Sequence, residues 1–531
     1  MPVWSIELNA TNTFGAVVLL LVMAMSSTWL HSHHQLRRRG LKPLPGPFSI
    51  PFIGCVGVPR TYTWRHLAAW RKHYGPIYRV VKGHDTYVVL GTTTAITDLL
   101  QHRGSIYSCR PRLIMGNDMA EMGLSILLTP YGSLFRKHRA AMQPALTKPK
   151  CARLQGGIDK EVRVLLRDLV KSPLEFRTHV DRYHVSSIVQ IIYGFRVPDA
   201  KTSPDVQTIL EINEHLFAAV RPGHWLVDAF TVIEKLPTWI LPTKKTGMQW
   251  LLEALDVFKR MLGEVREADR HGAAPDCYGL DIIRSQAEPN GLSDDEAAFV
   301  CGSSFSAGSN ALTSALLVAM MAFVLFPEAA DKARHEIDCL VGSDRLPTHE
   351  DLMSLPYTAS FIKELMRWRP FVPGGMPHRL TRDDEYMGYH IPKGAFILGN
   401  TESSHNDEAV FDEPHAFKPE RWLHQGEAEA ILDLAHAKDK LMIHPFGFGR
   451  RICPGMNLAM RSLGTSIPAL LWGFEFAHAL DEQGNQIPID PLAFSDTLSS
   501  EPLPFKLTIT PRSEERKRVM EEEGWASRVE K

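Results

Sequence analysis

The sequence lacks the features that mark a disulfide-stabilised or zinc-binding protein. Seven cysteines, an odd number, are scattered along 531 residues, and no two of them form a C-x-x-C pair. This pattern argues against a disulfide framework and a zinc site, and it is typical of a chain that faces a reducing compartment. The seven are Cys55, Cys109, Cys151, Cys277, Cys301, Cys339 and Cys453.

Net charge is also nearly absent. The 59 Lys and Arg residues are balanced by 60 Asp and Glu residues, so the composition implies no general affinity for nucleic acid. No Gly/Ser-rich linker or low-complexity run divides the chain after residue 55. The composition is that of an ordinary globular protein, with 44% hydrophobic and 22% charged residues. One large domain is therefore predicted, although the length alone would allow roughly two to four.

Charged residues are missing altogether from residues 14–30, FGAVVLLLVMAMSSTWL. A helix of this length spans about 25 Å, slightly less than a bilayer core, and local thinning of the bilayer can absorb the difference. A cleaved signal peptide is the alternative, but residues 1–13 contain Glu7 and no Lys or Arg, whereas basic residues follow the span. We therefore predict a luminal segment over residues 1–12, a single signal-anchor helix over 13–30 in the endoplasmic reticulum membrane, and a cytosolic catalytic domain.

The remaining chain predicts a mainly α protein with small β-sheets, an α+β fold. Residues 31–54 are basic and proline-rich and predict a stiff hinge, because closely spaced prolines cannot continue a helix. The domain is predicted over residues 55–512, followed by a charged tail over 513–531. Residues 76–91 predict two strands around a Gly-His-Asp turn. The longest helical pattern runs from Asp294 to about Leu325 and is closed by Pro327.

Cys453 lies in the stretch FGFGRRICPG, residues 446–455, directly before an apolar helical pattern. A thiolate ligates a metal only where its charge is stabilised. Arg451 would supply a fixed positive charge to a nearby anionic group, and the helix that begins near Pro454 would present its positive end. Three glycines would let backbone N–H groups approach the sulfur: Gly447, Gly449 and Gly455. The alternative is a buried free cysteine in a glycine-rich turn.

Two earlier stretches favour the metal ligand over the free cysteine. FIKELMRWRP places Glu364 and Arg367 three residues apart, on one face of a predicted helix, and FKPERW supplies Arg421. An isolated E-x-x-R is common on solvated helices. The order E-x-x-R, then P-E-R-W, then F-x-x-G-x-R-x-C-x-G is far more specific, and it resembles the cytochrome P450 family of haem-thiolate monooxygenases.

The resemblance implies a cytochrome P450 fold, in which a single haem domain follows the membrane anchor and Cys453 ligates the iron of haem b. Glu364, Arg367 and Arg421 would form a mostly buried cluster, and Phe446 would pack beside the thiolate. Arg139 and His378 fall where the family contacts the haem propionates, with a surface charge and a surface histidine as the alternatives. Phe135 stands where the family often has a Trp, so one propionate hydrogen bond is expected to be missing.

The long helix carries Ala307 and Gly308, small residues that the resemblance places beside the oxygen site; packing against another helix is the alternative. The family commonly has an acid and a threonine next, where this chain has Asn310 and Ala311. Dioxygen chemistry needs protons from a general acid, and neither residue can supply one. The hypothesis is that Ser314, one turn beyond Ala311, a water held by Asn310, or a substrate hydroxyl is the donor.

Two segments are expected to line a substrate pocket. The resemblance places residues 104–131, which contain Met115 and Met119, over the pocket, with simple packing as the alternative. The segment after the E-x-x-R helix would line it as well, with Phe371, Val372, Pro373 and Met376. Residues 221–242 fall at the family's mobile roof, where Trp225, Phe230, Trp239 and Ile240 would contact lipid headgroups or pack in the core.

The predicted function is therefore that of a membrane-anchored monooxygenase. It would use O2 and electrons from NADPH, delivered by NADPH–cytochrome P450 reductase because 531 residues leave no room for a flavin domain beside the haem domain. The substrate would be a hydrophobic small molecule, hydroxylated or epoxidised, and the style of the sequence resembles fungal enzymes of secondary metabolism. The departure at Asn310 and Ala311 motivates an alternative, a haem-thiolate peroxygenase, isomerase or dehydratase. A haem-binding sensor or scavenger is the non-enzymatic alternative.

Overall fold

The computed structural model describes residues 23, 38–50, 53–59, 61–197, 203–221, 223–434 and 441–522. The predicted luminal segment and, apart from Met23, the predicted anchor helix lie outside these residues. Within the described part of the chain, one helix, Asp294–Leu325, is long and apolar enough to cross a membrane, and most of it is buried inside the domain.

The architecture is mainly helical with three small sheets, as predicted. The α-helices are α1 Thr63–Tyr74, α2 Thr93–Ile96, α3 Gly104–Tyr107, α4 Ser133–Ala145, α5 Lys148–Arg153, α6 Gln155–Lys171, α7 Phe176–Tyr193, α8 Pro204–Ala219, α9 Leu226–Ala229, α10 Thr243–Arg270, α11 Tyr278–Ser285, α12 Asp294–Leu325, α13 Pro327–Val341, α14 His349–Leu352, α15 Pro356–Trp368, α16 Thr401–His405, α17 Ala428–Leu432, α18 Met456–Gly473 and α19 Glu514–Glu521. Thr97–His102 and Ile114–Ala120 are π-helical, and the 3₁₀ turns are Pro173–Glu175, Thr231–Lys235, Pro419–Gln425 and Gly449–Arg451.

The strands are β1 Lys42–Pro43, β2 Ser49–Ile50, β3 Gly54–Cys55, β4 Ile77–Lys82, β5 Asp85–Leu90, β6 His378–Arg379, β7 Asp384–Tyr386, β8 Tyr389–Ile391, β9 Phe396–Gly399, β10 Phe474–His478 and β11 Leu507–Pro511. They form sheets of order β2-β3-β4-β5-β9-β6, β1-β8-β7 and β10-β11. The predicted hairpin is β4–β5, which pairs antiparallel from Ile77 opposite Leu90 to Lys82 opposite Asp85. β9 pairs parallel with β5 and antiparallel with β6, which places His378 at the edge of the largest sheet.

The long helix α12 runs through the middle of the fold and packs against α7, α10 and α18. A capping box starts it: the Ser293 hydroxyl accepts from the backbone N–H of Glu296, and the Glu296 carboxylate accepts from that of Ser293. Close approach to α10 is possible at Gly302, where a Cβ would lie 2.2 Å from the Phe258 ring. Pro327 not only ends the pattern but occupies the first turn of α13, where its missing N–H costs nothing.

Two segments that were predicted to lie outside the domain are joined to it. In the proline-rich segment, Lys42 and Pro43 pair with β8, and Ser49–Ile50 pairs with β3, so the described part of the hinge contributes edge strands, a position that proline tolerates. The first residues of the predicted tail form α19, in which Arg516 donates to Asp338 and the buried Met520 lies against Gly473. Residues beyond the predicted boundaries at 55 and 512 therefore contact the domain on both sides.

Candidate functional site

Cys453 follows the 3₁₀ turn Gly449–Arg451 and precedes α18. Its backbone N–H donates to the Phe446 carbonyl at 2.9 Å, which closes the loop. Gly447 and Gly449 have left-handed φ angles of 80° and 47°, so glycine is strongly favoured at both positions. Gly455 has an ordinary φ of −83°, but a Cβ there would lie 3.9 Å from the Cys453 sulfur. Gly447 and Gly449 therefore shape the loop through their conformation, whereas a Cβ at position 455 would make only an ordinary van der Waals contact with the sulfur.

The surroundings of the sulfur fit a metal ligand. Burial raises the pKa of the Cys453 thiol, whereas the Gly455 N–H and the positive charge of Arg139 lower it. A metal cation would remove the cost of the buried charge, since a coordinating thiol is deprotonated. Among the described residues, no group of three or more His, Cys, Asp and Glu side chains could hold a metal ion. A metal bound by this sulfur would therefore bring its other ligands with it, as the iron of a haem does.

Arg451 lies next to the cysteine loop and is fixed by backbone carbonyls. Its guanidinium donates to the carbonyls of Ser108, Ile126 and Thr129 at 2.6–3.0 Å. The guanidinium carbon also lies 3.8 Å from the centre of the Phe135 ring. Phe135, which cannot donate a hydrogen bond, thus presents its ring face to this cation.

A further arginine, Arg110, was not predicted and is 6% exposed, whereas Arg451 is half-buried. It donates to the carbonyls of Leu127, Met376 and Pro377. Burial, together with the charge of Arg451, lowers the pKa of Arg110 to about 9. The sequence signal was weak, since Arg110 stands in an irregular stretch, SCRPR, that matches none of the motifs used above.

The remaining predicted propionate contacts lie in the same neighbourhood. Arg139, on α4, donates to the Ile452 carbonyl at 2.7 Å, directly before the cysteine. The buried His378 imidazole is hydrogen-bonded through Nδ1 to the Tyr107 carbonyl at 2.7 Å, and burial and the charge of Arg110 hold its pKa well below the ordinary value.

The three arginines of this neighbourhood have no anionic partner among the residues that the structure describes. Within the described ranges, Arg110, Arg139 and Arg451 donate to backbone carbonyls, and none of them forms an ion pair with a carboxylate. Burying uncompensated charge is costly, and the cost falls if an anionic group enters. The donor set therefore fits the two propionates of a haem whose iron is held by Cys453.

The Glu364 cluster is different because its charges are satisfied within the chain. Arg367 is fully buried and donates to both Glu364 oxygens, at 2.8 and 2.9 Å, as well as to three backbone carbonyls. Arg421 Nε donates to the same carboxylate at 3.1 Å. Two further donors reach it, the Lys418 backbone N–H and the Trp422 indole. The structure thus brings together the three residues that the motif order predicted.

One face of α12 is open although most of the helix is buried. Ser303, Ala307, Ala311 and Ala315, spaced four residues apart, are exposed or half-buried, and so is Gly308. A Cβ on Gly308 would lie 3.1 Å from Ile188, so this glycine also permits close packing against α7. Asn310 is half-buried beside the open face, and its side chain has no hydrogen bond to another described residue. The open face therefore offers space for a planar group, and none of the residues named on it has an acidic side chain.

Ser314 does not share this open face. It is 2% exposed, and its hydroxyl donates to the Ser500 carbonyl at 3.1 Å. Its proton therefore points to a backbone acceptor in the C-terminal region.

The segment after α15 is held at several points. Phe371 O accepts from Ser500 N, and Pro373 O accepts from Glu402 N. Gly375, at φ 69°, lies so close to Gly399 that a Cβ would meet its carbonyl oxygen at 2.2 Å. Phe371, Val372 and Met376 are half-buried, whereas Pro373 is buried. A rigid segment with partly open side chains is suited to form the wall of a pocket.

The predicted pocket methionines pack against the roof. Met115 is fully buried with Ala219, Val227 and Leu241, and Met119 lies against Gly247 of α10. An ion pair links the same loop to the roof: Arg112 contacts Glu234 at 2.9 Å, and it also contacts Asp118 within the loop at 2.7 Å.

A buried carboxyl ends the loop that holds these methionines. Glu121 is 7% exposed, its Oε2 has no hydrogen-bond partner among the described residues, and burial raises its pKa to about 8.

The roof aromatics divide into two groups. Trp225 is half-buried, donates to the Ala218 carbonyl at 2.8 Å and lies edge-on to the ring of Trp250. Phe230, Trp239 and Ile240 are 61%, 82% and 45% exposed. Trp225 therefore packs against the interior, whereas Phe230, Trp239 and Ile240 are apolar side chains exposed at the surface.

Comparisons with known proteins agree with this geometry. Residues 44–509 match the family model described as cytochrome P450. The chain is 36% identical over 507 residues to cytochrome P450 monooxygenase aneD of Aspergillus aculeatus, covering 93% of each chain. It is 33% identical over 506 residues to cytochrome P450 monooxygenase 58 of Postia placenta, covering 95% of each. A zebrafish cytochrome P450 structure with abiraterone has a similar fold, with a TM-score of 0.67 and 20% identity over 85% of this chain and 100% of the other.

Proposed function

This chain belongs to the cytochrome P450 family of monooxygenases, and we propose that it is a membrane-anchored enzyme that oxidises a hydrophobic small molecule. It takes electrons from NADPH through a separate NADPH–cytochrome P450 reductase and inserts one oxygen atom of O2 into its substrate by hydroxylation or epoxidation. The single observation that carries the proposal is the meeting of the Cys453 loop with one buried and two half-buried arginines that have no carboxylate partner among the described residues.

Each part of the site has a defined task. Bound haem b would supply the dioxygen chemistry. Cys453 would hold its iron through sulfur, a ligand whose electron donation favours O–O cleavage. Arg110, Arg139 and Arg451 would bind the propionates, with His378 close to Arg110. The open face of α12 would leave room for the planar group.

The wall segment supports an apolar substrate. Phe371, Val372 and Met376 offer aromatic and aliphatic surface, which favours a neutral hydrophobic compound. The fungal relatives support a role in secondary metabolism.

The exposed roof residues support a location on the endoplasmic reticulum membrane. Phe230, Trp239 and Ile240 form an apolar surface of a kind that is unusual for a soluble protein unless it binds something. Aromatic side chains are favoured at the headgroup level of a bilayer. With the signal-anchor predicted over residues 13–30, this surface gives the cytosolic domain a second contact with lipid.

The proposal is tested in microsomes that also contain the reductase. Terpenoid, polyketide and steroid candidates are supplied under isotopically heavy O2 with NADPH, and product masses are measured. One heavy oxygen atom per product is expected, with none formed by a Cys453→Ala control. A product without heavy oxygen, formed without NADPH or with peroxide alone, would instead identify the peroxygenase, isomerase or dehydratase alternative that Asn310 and Ala311 motivate.

A further inference from the structure

Ser314 connects three parts of the chain that are far apart in sequence. Its hydroxyl donates to the Ser500 carbonyl at 3.1 Å, across 186 residues. The Ser500 backbone N–H in turn donates to the Phe371 carbonyl at 2.8 Å. The peptide units on either side of Ser500 are thus bonded to α12 and to the pocket wall.

Ser500 lies in a loop that is also held at other points, including Asp496, whose Oδ1 accepts from the Tyr62 backbone N–H at 2.6 Å. Phe494 and Pro502 form a bridge at its base, and Arg177 donates to the Pro502 carbonyl at 3.1 Å. Nearer the tip, Ser500 Oγ donates to the Ser495 carbonyl, a bond within the loop itself. Ser500 is 4% exposed. The Ser314 bond is therefore the loop's side-chain connection to the helix that carries the open face.

From these contacts we infer that Ser314 is a positioning residue: its hydroxyl fixes the 494–502 loop and, through Ser500, the wall segment 371–376 against α12. The inference rests on the proposed function, because it assigns these segments to the substrate pocket. Ser314 then sets the distance between two walls and hence the size of ligand that the pocket admits. It does not supply protons, because its proton is held by a buried carbonyl. Of the three donors considered above, a water held by Asn310 and a substrate hydroxyl remain.

The chain offers a matched control for the test. Ser309 lies on the same helix and is also 2% exposed, but its hydroxyl reaches only the Ser306 carbonyl of its own helix, at 3.5 Å. Ser314→Ala and Ser309→Ala remove the same atom from the same helix at equal burial. Only the first breaks a bond between segments.

The first readout is amide hydrogen exchange of the haem-loaded full chain. In Ser314→Ala, the Ser500 amide should exchange about three- to tenfold faster, since one neutral hydrogen bond is lost beside it. The Glu402 amide, which anchors Pro373 at the other side of the wall, should be unchanged. Ser309→Ala should match the wild type at both amides.

The second readout is spectral titration of the haem with imidazole and with a bulky triaryl imidazole. Ser314→Ala should change the affinity for the bulky ligand at least about threefold and leave imidazole unchanged, because only the bulky ligand touches the walls. Unchanged Ser500 exchange, an equal effect of Ser309→Ala, or increased peroxide release in Ser314→Ala without either change would overturn the inference. Neither readout needs turnover, so failure to oxidise any substrate would count against the proposed function and leave this result standing.

Discussion

Replacing Glu364 by alanine tests how the fold supports its site. The change leaves Arg367, which is fully buried, without its counter-ion. It also removes the acceptor of three further donors, the Lys418 N–H, the Arg421 guanidinium and the Trp422 indole. Water cannot readily replace the carboxylate, because both Glu364 and Arg367 have no exposed surface.

The expected cost follows from this burial. Removing one partner of a buried ion pair costs about 3–5 kcal/mol, a large part of a total stability of about 5–15 kcal/mol. Arg421→Ala should cost about 1–3 kcal/mol, since Arg367 keeps its counter-ion while the bond to Glu364 and the weaker, partly exposed bonds to the carbonyls of Asp412, Glu413 and Ala416 are lost. Glu267→Ala is the control: it breaks an ion pair with Arg270 at the same i,i+3 spacing whose partners are 56% and 69% exposed, and it should cost less than about 1 kcal/mol.

Denaturant unfolding and haem content measure the series. We expect the free energy of unfolding to fall most for Glu364→Ala, less for Arg421→Ala and least for Glu267→Ala, with no haem retained by the first. Where Glu364→Ala yields no soluble protein, Glu364→Gln keeps the volume and loses the charge. A Glu364 variant with full haem content and a stability within about 1 kcal/mol of the Glu267→Ala control would refute the reasoning.

Four further outcomes follow from single contacts. Arg110→Leu should lower haem affinity without lowering the unfolding free energy of the haem-free protein, as measured by haem titration and denaturant unfolding. The pKa of Glu121 rises from 4.5 to about 8 on folding, so the folded state binds the extra proton and stability falls as pH rises through this window; Glu121→Gln should flatten that slope in unfolding experiments across the same pH range. Glu234→Gln breaks the partly exposed bond to Arg112 and should speed azole binding in stopped-flow experiments, more at low salt than at high salt. Asn310→Leu should increase peroxide released per NADPH, and unchanged coupling would assign the proton to the substrate.

The parts of the site that the sequence predicted depend on fixed spacing. Glu364 and Arg367 are three residues apart on α15, and helical geometry alone places them on one face. Gly447 and Gly449 were predictable because a sharp turn beside a thiolate needs left-handed φ angles. The limits of α12 were also predictable, since an apolar pattern ends at a proline. In each case the structural feature and the sequence pattern that predicts it lie within a few residues of each other.

The parts that were missed depend on contacts between distant segments. Arg110 donates to the carbonyls of Leu127 and Pro377, and no pattern of neighbouring residues in the sequence predicts such distant partners. Ser314 was predicted to lie one turn beyond Ala311 on nearly the same face, yet it is buried and its acceptor lies 186 residues away. Helical periodicity predicts on which face of a helix a residue lies, but it does not predict which distant loop packs over that face.

The Glu364 cluster and the arginines near Cys453 therefore have different tasks. The Glu364 carboxylate is paired with arginines inside the chain, so this cluster stabilises the fold with or without cofactor. Arg110, Arg139 and Arg451 have no such partner in the described part of the chain, and burial raises the pKa of the Cys453 thiol. The cost of the unpaired arginine charges and the cost of a buried thiolate both fall when an anionic macrocycle with a cationic centre binds. Part of the haem-binding energy therefore becomes folding energy. Removing haem should then abolish the stability difference between wild type and Arg110→Leu while leaving the effect of Arg421→Ala intact. An Arg110 effect that persists in the haem-free protein would mean that this arginine serves the fold.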